Sequence, residues 1–140
     1  MAKKVFICFD YDNDRNYRYL LSALSENSSS AIDFEDLTPE EIQSFDVGRI
    51  KAALSRRMGS STHILVIVGD HANSYHDDRA SIGERNWQWW EIEKADELNL
   101  GFIAVKIAAS NDSPEPLLGK GATWAMSFKV DAILKAINDA

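Results

Sequence analysis

Three apolar runs constrain this chain more than any other feature: Val5 to Phe9, His63 to Val68 and Phe102 to Ile107. Each is continuous instead of alternating, and each is rich in β-branched or aromatic residues. A strand that is apolar at every position has to be covered on both faces. Between the runs lie stripes at helical spacing. Tyr17, Leu20, Leu21 and Leu24 form one, Val47, Ile50, Leu54 and Met58 a second, and Val130, Ile133, Leu134 and Ile137 a third. Doubly covered strands that alternate with amphipathic helices imply a parallel sheet joined by helical crossovers.

The weaker segments complete the pattern. Ala31 to Phe34 reads as a short second strand after the break at Ser28-Ser29-Ser30, and Thr123 to Met126 as a short fifth. The acidic stretch Glu35 to Phe45, with Pro39, reads as loop, and the second helix begins after Asp46 and stops at Gly59. Five strands in one small α/β domain predict a three-layer, flavodoxin-like fold with a parallel sheet in the order 2-1-3-4-5. The 140 residues are a normal size for one domain, 1–140, with no repeat and no linker that would divide it.

Charge and cysteine content narrow the partners. A net charge of -7 argues against a nucleic-acid backbone or an anionic membrane as the main partner. The lone cysteine, Cys8, lies inside the first apolar run and reads as a small core residue in a reducing compartment. The start, Met1-Ala2-Lys3-Lys4, resembles a signal-peptide n-region, but the apolar run after it ends at Phe9, too short for the next region of such a signal. No segment approaches transmembrane length. These features predict a cytoplasmic protein.

The densest local signal is Trp87-Gln88-Trp89-Trp90-Glu91-Ile92, inside a helix predicted over Arg85 to Asn99. With Trp87 at zero, Leu98 falls near ~20°, Ala95 near ~80° and Ile92 near ~140° on the helical wheel. Glu91 falls near ~40°, inside that apolar arc, whereas Glu93, Asp96 and Glu97 fall near ~180–280° on the far side. An unpaired charge is expensive to bury. Glu91 is therefore either a working carboxylate or a structural acid with a basic partner. Trp87, one turn earlier on the same face, is the candidate to stack on a ring, although aromatics on a helix usually pack.

Ligands of such sheets bind beyond the carboxyl ends of the strands where the strand order reverses, here between strands one and three. The loops at that point are Asp10 to Asp14 and Gly69 to Glu84. Asp10, at the strand end, is a candidate ligand contact, while Asp14 or Asp12 is explained by capping the next helix. The longer loop holds His71, Asn73, Tyr75, His76, Asp77, Asp78 and Arg79, whose spacing matches no metal motif and which reads as a solvated loop or lid. No metal and no resident cofactor are expected. Glycine-rich phosphate loops are absent: Gly69 stands alone, and Gly119-Lys120-Gly121 precedes a strand.

Lys4-Val5-Phe6-Ile7-Cys8-Phe9-Asp10-Tyr11-Asp12 resembles the opening box of TIR domains, and Trp87 with Glu91 and Ile92 is similar to the tryptophan-to-glutamate element of NAD-cleaving TIR domains. The order of elements most resembles the bacterial TIR-like family of the Thoeris antiphage system. Phe34-Glu35-Asp36 occupies the region where many TIR domains carry an arginine-aspartate-proline-glycine motif, and the phenylalanine-tryptophan box is absent. The resemblance implies a TIR-like NAD⁺ glycohydrolase or ADP-ribosyl cyclase, with NAD⁺ as substrate. It implies Glu91 as the catalytic residue, and Phe9, Asp10 and Trp87 as pocket residues. It further implies a nucleotide signal such as cyclic ADP-ribose, passed to an effector in antiviral defence, and gating by self-association or a phage-derived trigger. Two other readings share the fold class. A phosphoacceptor receiver would use Asp10 and Asp12, Asp70, Ser110 and Lys129, and a non-catalytic interaction module would keep Glu91 as structure. If Glu91 works, its carboxylate belongs in a cleft beside the ends of strands one and three, near Phe9 or Asp10.

Overall fold

A computed structural model describes residues 3–10, 13–26, 32–35 and 46–140. Expectations that fall on Tyr11, Asp12, the serine run and the acidic stretch 36–45 lie outside these residues, as does the side chain of Leu24. The three apolar runs form β1 (Lys3–Cys8), β3 (His63–Val68) and β4 (Gly101–Lys106). They lie side by side and parallel: Val5 sits opposite His63, and His63 opposite Gly101. From Val5 to Phe9 and from Ile64 to Val68 every side chain is buried, as continuous apolar strands require. β2 (Ile32–Glu35) flanks β1, and β5 (Thr123–Ala125), three residues long, flanks β4. The order is β2-β1-β3-β4-β5, parallel throughout. The α/β class with a parallel sheet is the one that the apolar runs imply.

The helices are α1 (Arg15–Glu26), α2 (Val47–Gly59), α3 (Arg79–Ile82), α4 (Trp87–Glu97) and α5 (Val130–Asp139). Asp46 caps α2 by accepting from the Arg49 N–H at 3.2 Å, and Ile50, Leu54 and Met58 are its buried stripe. α2 packs against α4, with the Lys51 ammonium 5.8 Å from the Trp90 ring centroid. Tyr17 of α1 meets Phe128, just before α5, edge-on at 4.8 Å. α4 ends because Asn99 takes a left-handed φ of 61°, which asparagine tolerates, and the Leu100 N–H then closes on the Ala95 carbonyl at 3.0 Å. Gly101 opens β4 with no side chain because the His63 ring lies over it; a Cβ there would stand 2.5 Å from His63 Cδ2.

Three details differ from the helical stripes. Leu20 and Val130 are exposed, although both occupy stripe positions, while Ala136 of α5 is buried. Val130 is the first residue of α5. The loop after β3 is not structureless: α3 interrupts it, closed by Gly83 at φ 85°. Among the described residues no helix is long and apolar enough to cross a membrane.

Candidate functional site

β1 and β3 are neighbours, but the chain leaves their carboxyl ends in opposite directions, to β2 on one side and β4 on the other. The first turn of α4 spans the gap so formed. Gln88 is buried there and donates its amide to the carbonyl of Ile67 at 2.7 Å and to that of Cys8 at 3.5 Å. One side chain thus bridges the two strands. Residues three apart on a helix lie one above the other, so Glu91 follows Gln88 on the face turned to the sheet. Glu91 has no solvent exposure. It lies near enough to Cys8, the last residue of β1, for its charge to act on the thiol. The Cys8 sulfur is also 3.6 Å from the Gln88 carbonyl oxygen. Burial first, and the influence of Glu91 next, push the Cys8 thiol well above the usual thiol range.

Asn86 and its neighbours tie the loop from 69 to 86 to this helix. Asn86 caps α4 by accepting from the Trp89 N–H at 2.9 Å, and its amide donates to the carbonyls of Ala72 at 3.0 Å and Ser74 at 2.9 Å. The Trp89 indole N–H donates to Asn73 Oδ1 at 3.1 Å. The Arg85 guanidinium lies 4.5 Å from the Tyr75 ring and 4.6 Å from the Trp89 ring. The loop therefore stands as an ordered cover beside α4.

A second polar group lies across the ends of β1 and β3. Asp14 is buried, and its carboxylate rests on Gly69, where a Cβ would come within 2.3 Å of Oδ2. Among the described residues Oδ2 receives no hydrogen bond. Burial first, and the charge of Asp10 next, push Asp14 up to about 6; His71 opposes this and Asp70 adds to it. Asp10 Oδ2 accepts from the Asn13 amide at 3.0 Å, and Asp70 Oδ1 from the Asn111 amide at 2.6 Å. The capping role expected of the Asp14 side chain is corrected here: among the described residues its main-chain carbonyl meets the helix, taking the Tyr17 N–H at 3.0 Å, while the side chain turns inward over Gly69. Among the described residues no group of three His, Cys, Asp or Glu side chains is placed to hold a metal ion.

The candidate residues named from sequence fall as follows. Glu91 is buried on the face of α4 that Gln88 ties to the ends of β1 and β3, with Cys8, just before Phe9, within reach of its charge. Phe9 is buried, with the Arg18 guanidinium 5.9 Å from its ring centroid. Asp10 is half-buried at the mouth of β1. Trp87 is buried and packs edge-on against Trp90 at 5.7 Å, so neither face of its ring is open in this conformation. Of the receiver set, Asp70 pairs with Asn111, while Ser110 and Lys129 are exposed. Two residues are brought in that the sequence reading passed over. Gln88 falls near ~100° on the same wheel, between Ala95 and Ile92, so its burial was readable there. Cys8 carries no sequence signal beyond its apolar surroundings.

Comparison with solved structures places the fold beside two others. A 2-deoxyribosyltransferase from Bacillus psychrosaccharolyticus matches with a TM-score of 0.59 at 11% identity, covering 89% of this chain and 87% of that one. A prokaryotic SEFIR domain matches with a TM-score of 0.57 at 13% identity, covering 98% and 94%. No curated protein matches the chain in sequence. The family model of the Thoeris protein ThsB, TIR-like domain, matches residues 6–112. That span runs from within β1, through the Gln88 clamp and Glu91, to the loop beyond β4, and on it the chain belongs to the TIR-like domain family of ThsB.

Proposed function

We propose that this protein cleaves the nicotinamide–ribose bond of NAD⁺, with Glu91 as its catalytic carboxylate. The observation that carries the reading is a fully buried glutamate held at the carboxyl end of β1, where the strand order reverses. Membership of a TIR-like family supports it. In NAD⁺ the nicotinamide is already a cationic leaving group, so its departure needs no general acid. The ribose carbon left behind becomes oxocarbenium-like, and a single carboxylate can stabilise that charge or attack it. In a dry site such a contact is worth far more than in water. The ribosyl carbon then passes to water, or to an atom of the same molecule to give a cyclic ADP-ribose, and exclusion of water favours the second course.

The burial of Glu91 has a consequence for access. Substrate reaches the buried carboxylate only if the elements packed around it part, so turnover on this reading is gated by that movement. Gating suits an enzyme that responds to self-assembly or to a phage-derived trigger and signals to an effector through its nucleotide product. Phe9, Asp10 and Trp87 then line the opened pocket. A second reading draws on the same burial: a non-catalytic interaction module in which Glu91 is a structural acid.

Incubation with NAD⁺, alone and with candidate activators, followed by mass spectrometry of the products, separates the two. Wild type is expected to release nicotinamide and ADP-ribose or its cyclic form. Glu91→Gln keeps the size and removes the charge, and a lost transition-state contact of this kind lowers the rate about 10²- to 10³-fold. Glu93→Gln, on the exposed face of α4, is expected to match wild type. Equal turnover by wild type and Glu91→Gln would falsify the assignment, and a protein inert under all conditions favours the interaction module.

A further inference from the structure

We propose that Asp14 is a second substrate-binding carboxylate, one that accepts a hydrogen bond from a hydroxyl of the ribose that loses nicotinamide. The choice of ligand rests on the proposed cleavage of NAD⁺. The residue and its place are independent of Glu91 and of the helix that carries it.

Asp14 lies across the carboxyl ends of the two strands that Gln88 joins to α4. A turn after β1 brings it there: its N–H donates to the Asp10 carbonyl at 2.9 Å. Its side chain then rests on Gly69, the residue that follows β3. A Cβ at that position would stand 2.3 Å from Oδ2 and 2.9 Å from both Cγ and Oδ1. A side chain at 69 would therefore displace the carboxylate, and the glycine makes a cradle for it.

Three acids gather at this end, and they are not alike. Asp10 accepts from the Asn13 N–H at 3.3 Å and from its amide at 3.0 Å. Asp70, next to Gly69, accepts from the Asn111 amide at 2.6 Å. Asp14 is the most deeply buried of the three, and among the described residues its Oδ2 receives no hydrogen bond. Keeping a carboxylate oxygen from water without a donor costs stability. A ligand that brings a donor to it removes that cost, so the site rewards an N–H or O–H group. As with Glu91, the ligand reaches the oxygen when the elements packed around it part.

The surroundings select the donor. Three neighbouring carboxylates repel a phosphate. Among the described residues no three His, Cys, Asp or Glu side chains are placed to hold a metal ion. NAD⁺ carries no ammonium group, and its donors beside the breaking bond are the hydroxyls of the nicotinamide ribose. Acidic side chains at the ends of parallel strands bind ribose hydroxyls in other α/β proteins. In glycoside cleavage a hydrogen bond to the hydroxyl next to the reacting carbon strengthens in the transition state. Glu91 and Asp14 thus divide one ribose, the first at the reacting carbon and the second at a hydroxyl.

Calorimetric titration with ADP-ribose, and with its two analogues that lack the 2- or the 3-hydroxyl of the terminal ribose, tests this without turnover. In wild type one analogue is expected to bind about 10- to 100-fold more weakly than ADP-ribose, the loss of one hydrogen bond to a charged group. In Asp14→Ala that analogue and ADP-ribose are expected to bind alike. Asp14→Asn keeps the shape with a neutral acceptor and is expected to discriminate less than wild type. An undiminished preference in the asparagine variant overturns the proposal, and this arm decides alone if circular dichroism shows the alanine variant unfolded. Wild type that binds all three compounds equally, or none of them, also overturns it. The turnover assay keeps the two readings apart. NAD⁺ cleavage without an Asp14-dependent preference retains the role of Glu91 and strikes that of Asp14. The preference without cleavage retains the sugar site and strikes the proposed function.

Discussion

Asp14→Asn should stabilise the protein, and more at high pH than at low. Asp14 is 6% exposed, its Oδ2 receives no hydrogen bond among the described residues, and Asp10 and Asp70 face it with like charge while His71 only partly offsets them. These surroundings raise it from 3.8 to about 6. The folded protein therefore holds this proton more tightly than the unfolded chain does. Below the unfolded value the group costs nothing. As pH rises through the interval from 3.8 to about 6 the unfolded chain ionises first, and stability falls. Linkage puts the loss at about 1 kcal/mol near pH ~4.5 and about 3 kcal/mol near pH ~8. Asparagine has the same shape and no charge. Any constant effect of the substitution, such as a different fit over Gly69, is the same at both pH values and cancels. The stability gap between variant and wild type should thus widen by about 2 kcal/mol from the lower pH to the higher. Urea unfolding of both proteins at the two pH values measures it. A gap that stays constant or narrows refutes the reasoning, because it means that the Asp14 carboxylate is not strained by burial and by its acidic neighbours.

Gly69→Ala brings a Cβ within 2.3 Å of Asp14 Oδ2 and should destabilise by about 1–3 kcal/mol in thermal melts, with much of the loss recovered when Asp14→Ala is combined with it. Asn86→Ala removes the α4 cap and both ties to the loop at Ala72 and Ser74; it should cost about 1–2 kcal/mol and speed limited proteolysis between 72 and 76. Gln88→Ala strands the buried carbonyls of Ile67 and Cys8, so a loss of about 1–3 kcal/mol is expected, together with faster hydrogen exchange at the amino end of α4.

The sheet was legible because a continuous apolar run has few places to go. Val5 to Phe9 and His63 to Val68 can be satisfied only between two layers of helix, and in the structure all but the half-buried His63 are buried. The burial of Glu91 and the exposure of Glu93, Asp96 and Glu97 followed from the angular step of the helix, with no knowledge of what covers it. Stripe positions failed at Leu20 and Val130, which have the right period and are exposed all the same, because period gives the face of a helix and not what lies opposite it.

Periodicity along one chain therefore determined the class of fold, the direction of its strands and which face of α4 turns inward, since these depend only on a residue and its near neighbours in sequence. The tertiary structure alone decided the contacts made there. Gln88 is far in sequence from Cys8 and Ile67, and its amide meets both because α4 lies across two adjacent strands at once. Asp14 faces inward over Gly69, on a different strand's end, where the missing Cβ leaves room for its carboxylate. Such pairings are set by register and crossover geometry, and local sequence spacing carries no record of either.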